Sequence, residues 1–277
     1  AAGWSFPPGA RKVVYLRPEI GPMPPKGARG RWLPERREVE EVARFSLAGK
    51  PLPRIEDAVR IGELARAALT SRAKRVVGED RIPPLLSGHG EKDPRHAHAF
   101  FLPEDADGDG WIDHLIIFAL RGFDPVSRNA ISRLDRLFQG GGGEWRVALE
   151  GIFPVGHFGD SPLLGKSSVW RSVTPYLHPW FAKKNFQPAD QIRRECQRRG
   201  YPTPVDVVSE EIIAFNGRRL RPIHFHRFRA KKGLTQPDRH GGFWRIVFPE
   251  PVTGPIALGF GCHFGLGLFA LEKADHM

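Results

Sequence analysis

Hydrophobic positions along residues 39–153 switch between a period of two and a period near 3.6, and the order of the switches predicts a fold. Residues 39–47 alternate as a strand. Residues 55–76 read as a helix, with Ile61, Leu64, Ala65 and Ala68 at i, i+3, i+4 and i+7. After a loop carrying Pro83-Pro84 and Gly88-His89-Gly90, residues 96–102 and 111–120 form two strands joined by a tight acidic turn. Residues 127–138 read as an amphipathic helix bearing Ile131, Leu134 and Phe138, halted by a run of glycines from Gly140, and 145–153 as a strand. The order is βαββαβ, the ferredoxin-like pattern.

The second half repeats this less cleanly. Residues 169–177 predict a strand, and 188–199 a helix opened by Pro188 and closed by Gly200. Further strands are expected at 205–213, 223–228 and 243–248, with the second helix reduced to 252–258 before a last strand. The expected fold is therefore α+β, with tandem ferredoxin-like (RRM-like) modules over 39–155 and 156–277. They follow a connector, 1–38, rich in Pro, Gly and Arg, in which 12–16 is a candidate strand.

Charge narrows the partner. Lys and Arg number 42 against 31 Asp and Glu, giving +11 over 277 residues, so a polyanion is the default ligand. Arg outnumbers Lys, which suits bidentate phosphate contact and stacking on bases. No apolar run reaches membrane-spanning length, so no membrane partner is expected. Cys196 and Cys262 are isolated, which argues against structural zinc or a disulfide framework and fits a reducing cytoplasm; no cofactor is expected. The chain opens on Ala-Ala-Gly with no initiator Met, so a processed form or a fragment of a longer protein is expected.

Histidines supply the candidate chemistry. His96 and His98 are two apart on one predicted strand and share a face, with His114 on the neighbouring strand; His224 and His226 repeat the spacing. Imidazoles titrate near neutrality and can act as general base and acid in metal-free phosphodiester cleavage. Asp105, Asp107 and Asp109 followed by Gly110 resemble the front of a calcium loop, but position 12 is Ile116 and strands flank it, so a hairpin turn is expected, with metal binding left open. Basic residues gather at Lys183, Lys184, Arg227, Arg229, Lys231 and Lys232, the last four interleaved with aromatics as in single-strand binders. Near the end, Gly259-Phe-Gly261 and Gly265-Leu-Gly267 flank His263. A glycine loop of this kind either lets a phosphate backbone approach or kinks a hairpin. Tyr176 is expected to pack, with a catalytic hydroxyl as the alternative.

Three segments together resemble a known family: His96-Ala-His98-Ala-Phe-Phe-Leu-Pro with the acidic run to His114, Trp170-Arg-Ser-Val-Thr174-Pro-Tyr176-Leu-His178-Pro, and the stretch from Gly254 to Phe269. They resemble the nuclease half of the type I-U (I-G) CRISPR-associated fusion of a backbone subunit with a RAMP-superfamily endoribonuclease. The resemblance implies metal-independent cleavage of CRISPR repeat RNA to a 2′,3′-cyclic phosphate, and association with other subunits of a type I CRISPR effector complex. The family's catalytic residues vary, so the histidine pattern itself makes His96, His98 and His114 the expected catalysts, with His89 in reserve. Gly259, Gly261, His263, Gly265 and Gly267 become an RNA-binding loop beside the basic clusters. Two alternatives stay open. One is a non-catalytic crRNA-binding subunit. The other is a two-histidine cyclic phosphodiesterase, although Ala99 and Arg227 stand here without the hydroxyl its motifs carry.

Overall fold

The computed structural model describes residues 39–88, 98–140, 143–229 and 240–272, which belong to one unit, Glu38–Met277. The connector, its candidate strand, His89, His96, Lys231 and Lys232 lie outside the described residues.

Five antiparallel strands build the first sheet: β1 (Val42–Ala48), β2 (Phe100–Glu104), β3 (His114–Phe118), β4 (Arg136–Gln139) and β5 (Gly143–Phe153), in the order β2-β3-β1-β5-β4. Helix α1 (Ala58–Val77) covers one face, burying Ala58, Ile61, Gly62, Ala65, Leu69 and Ala73 at the expected three- and four-residue steps. A short helix, α2 (Pro84–Ser87), follows it. Helix α3 (Pro125–Ser132) starts where the Asp124 carboxylate accepts hydrogen bonds from the amides of Val126 and Ser127, both 2.9 Å.

The helix expected to reach 138 stops at Ser132, and the chain turns into β4. Ile131, Leu134 and Leu137 are buried, so spacings that mimic a helix instead anchor a helix end, a turn and a strand. Phe138 is left 63% exposed.

The second sheet is also antiparallel: β6 (Lys166–Ser172), β7 (Asp206–Glu210), β10 (Phe243–Thr253), β11 (Ile256–Ala257) and β12 (Leu268–Leu271), in the order β11-β12-β6-β10-β7. Helix α4 (Pro188–Arg198) seats Ile192 and Cys196 against Trp170, Ile246 and Phe269. A small hairpin, β8 (Ile213–Phe215) with β9 (Arg218–Leu220), stands apart and is tied by the Arg218–Glu56 ion pair to the turn before α1. Two expectations are corrected. Residues 223–228 are no strand: Pro222–His224 form a 3-10 turn, with Ile223 70% exposed. Residues 252–258 hold the end of β10 and the two-residue β11 in place of a reduced helix.

In both sheets the first strand lies between the third and the last, and the second strand lies outside the third. The two sheets share a core. Phe101 and Ile117 face α1, while Phe100, Leu102 and Ile116 pack on Leu163, Ala257, Cys262 and Leu268 from the second half. Burial on both faces explains the unbroken apolar run Ala99-Phe-Phe-Leu-Pro. Among the described residues, no helix is long and apolar enough to cross a membrane.

Candidate functional site

The glycine loop links β11 to β12 and projects onto the first sheet. Its 3-10 turn, Cys262–Phe264, sits on α1 and β2. Gly62 makes this approach possible, because a Cβ there would stand 2.6 Å from the Phe264 carbonyl and 2.8 Å from that of Phe101. Gly267, at φ +57°, would drive a Cβ to within 1.9 Å of the Leu258 carbonyl. Gly259, Gly265 and Gly267 are buried against protein, whereas Gly261 and His263 keep part of their surface. Arg229 reinforces the seat, with its guanidinium 3.9 Å from the Phe264 ring centroid and 3.0 Å from the Glu63 carboxylate.

This docking brings two histidines together. The ring of His263, from the glycine loop, lies 6.2 Å from that of His98, which enters β2. His263 stacks on Phe100 at 3.9 Å, and its Nδ1 stands 3.2 Å from the Ala99 carbonyl. A carbonyl only accepts, so Nδ1 donates this hydrogen bond. The buried Nδ1 of His98 has no hydrogen-bond partner among the described residues.

Behind Phe100, the guanidinium of Arg199 lies 5.8 Å from that ring and donates to Glu195 and the Cys262 sulfur, both at 3.3 Å. Burial pushes the Glu195 carboxyl up, against the pull of Arg199. Burial likewise raises the Cys262 thiol, and pushes Cys196 and the Tyr201 phenol up to about 12. The two thiols and the Tyr201 phenol therefore stay protonated near neutrality and offer no nucleophile. Tyr176 is fully buried, with its phenol raised chiefly by burial, so it packs.

His114 belongs to another cluster. The register pairs Phe100 with Phe118 and Glu104 with His114, which puts His98 and His114 at opposite ends of the strand pair, roughly 20 Å of extended chain apart. His114 is held by Asp113 at 2.8 Å and Glu150 at 3.1 Å. Beside it, Arg44 pairs with Glu104 at 2.9 Å, Asp160 at 3.0 Å and Glu150 at 3.2 Å, and Ser161 donates to Glu104. The hydrogen bond that His114 donates to Asp113 raises the imidazole pKa against its burial.

The second histidine pair does not mirror the first. His224 Nδ1 accepts from the Arg221 amide at 3.0 Å within its turn. His226 lines a separate cleft with Arg60 and Phe228, where burial and Arg60 lower its pKa. Lys183 and Lys184 are exposed on a bend closed by a Lys183–Phe186 bridge. Arg227 donates to the His240 carbonyl at 3.0 Å. The oxygens of Asp105, Asp107 and Asp109 lie within 4.8 Å of one another, and burial pushes Asp105 up to about 6. Asp105 accepts from the amides of Gly108, Asp109 and Gly110, as a hairpin turn requires.

Sequence reasoning missed the partnership of His263 with His98, and the Arg199 behind them. The available signals were a histidine bracketed by glycines and an arginine immediately before the glycine that closes α4. No protein-family model and no curated protein matches the chain.

Proposed function

We propose that the chain is a metal-independent endoribonuclease that processes CRISPR repeat RNA, of the RAMP-superfamily kind its motifs resemble. The observation that carries this reading is the apposition of His98 and His263 where the glycine loop of the second sheet meets β2 of the first. The shared strand orders β2-β3-β1-β5 and β7-β10-β6-β12 support two ferredoxin-like modules, with the glycine loop in the place of the second module's last helix.

In the proposed reaction, Nε2 of neutral His263 takes the proton of a ribose 2′-OH. That oxygen bonds to phosphorus as the bond to the 5′ oxygen breaks. Protonated His98 donates to the departing oxygen, leaving a 2′,3′-cyclic phosphate and a 5′-OH. Arg198 and Arg199 supply positive potential for the phosphorane. His114, fastened between two carboxylates, is left out of the chemistry, which alters the assignment the motifs alone imply. The effector-complex subunits remain the expected partners.

The test is incubation of repeat RNA in EDTA with the wild type and with His98→Ala and His263→Ala. Cleavage by the wild type and its loss in both variants is expected. A strict metal requirement, or unchanged cleavage in both, overturns the mechanism. Tight RNA binding with no cleavage by the wild type identifies a non-catalytic crRNA-binding subunit instead.

A further inference from the structure

A cleft of about 480 Å³ opens where the end of α4 faces the first sheet. Phe100 and Phe118, with ring centroids 6.0 Å apart, form an apolar floor, and Leu120 stands 60% exposed at the rim. Tyr201 closes the opposite wall, its hydroxyl fixed on the Pro255 carbonyl at 3.1 Å.

One wall is cationic: Arg198 lines the cleft, and Arg194 stands one turn before it on α4. Arg194 and Arg198, one turn apart on α4, lie 5.5 Å and 5.3 Å from the ring centroid of the same indole, Trp180. Neither has an acidic partner among the described residues. Like charges at i,i+4 repel, and an anion between them relieves the repulsion. Lys183 and Lys184 are exposed in the segment that carries Trp180.

A bare phosphate would have no use for the aromatic floor, and a neutral apolar ligand none for the arginines. We propose that the cleft seats one nucleobase of a single RNA strand whose phosphates run over Arg194 and Arg198. The site rests on RNA being the substrate class, as proposed above. It would fix the nucleotide next to the cleaved bond, because the Phe100 ring of the floor also stacks on His263.

Titration of the four ribonucleoside 5′-monophosphates and ribose 5-phosphate against the chain, followed by NMR, tests this. At least one nucleotide is expected to bind about tenfold or more tightly than ribose 5-phosphate, the stacking contribution of a single base. Leu120→Asp, at an exposed position, should erase that preference with an unchanged melting temperature. The Arg194→Ala/Arg198→Ala variant should weaken the nucleotides and ribose 5-phosphate alike. Equal binding of all five ligands, or a preference that survives Leu120→Asp, overturns the proposal. A nucleotide preference in a chain that leaves RNA uncut removes the cleavage reading and keeps the pocket. Cleavage without the preference does the reverse.

Discussion

His98 and His114 bracket one pair of strands, and their surroundings differ in kind. His114 has both ring nitrogens engaged by carboxylates, in a cluster where Arg44 and Glu104 are almost wholly buried. His98 faces another histidine across 6.2 Å, with a buried nitrogen that nothing described engages. A histidine saturated with acceptors has its charged form favoured and stabilises what surrounds it. A histidine with no carboxylate partner among the described residues, facing a second imidazole, is the one the proposed chemistry draws on. Residue type marks both equally, and only their partners separate them.

Substitution at the two ends should separate them most strongly in rate. His98→Ala or His263→Ala is expected to slow single-turnover cleavage roughly 10²- to 10⁴-fold with little change in melting temperature. His114→Ala should change the rate per folded molecule by only a few fold while lowering the melting temperature. A rate loss at His114 equal to that at His98 would abolish the distinction.

The next effect lies on the structural side. Arg44→Met leaves Glu104 buried without its cation and should cost about 3–5 kcal/mol in urea unfolding. Gly62→Ala, which presses a methyl group on two backbone carbonyls, should cost about 1–3 kcal/mol. It should also depress cleavage beyond its effect on folding, since it lifts the loop that carries His263. Normal activity in a destabilised Gly62→Ala would detach the loop from the site.

The smallest effect is in pH. The raised pKa of His114 makes its contribution to stability complete below the unfolded value, about pH 6.5, and lost as pH rises through the higher folded value. Denaturation from about pH 5.5 to about pH 8.5 should show this decline in the wild type and a flatter profile in His114→Gln. Identical profiles would remove the imidazolium from the account.

Periodicity located α1 and most of the sheet strands because their buried faces repeat at the spacing the backbone imposes. It overran α3 because Ile131 and Leu134 keep helical spacing across a turn. It placed a strand at 223–228, although among the described residues that stretch pairs with no strand and Pro222 opens a 3-10 turn. The site was half legible. The histidines stood out, but grouping His114 with His98 ignored the antiparallel register: once Glu104 faces His114, the strand ends diverge. The partnership of His263 depends on how the two sheets dock, which no local pattern encodes.

The seat of the glycine loop also bears on when activity arises. Ala99 and the histidine that binds its carbonyl are 164 residues apart, so this contact closes only after both sheets have formed and met. If the proposed acid–base pair cuts RNA, a chain with just its first sheet folded holds one member of that pair, and competence is tied to completed assembly.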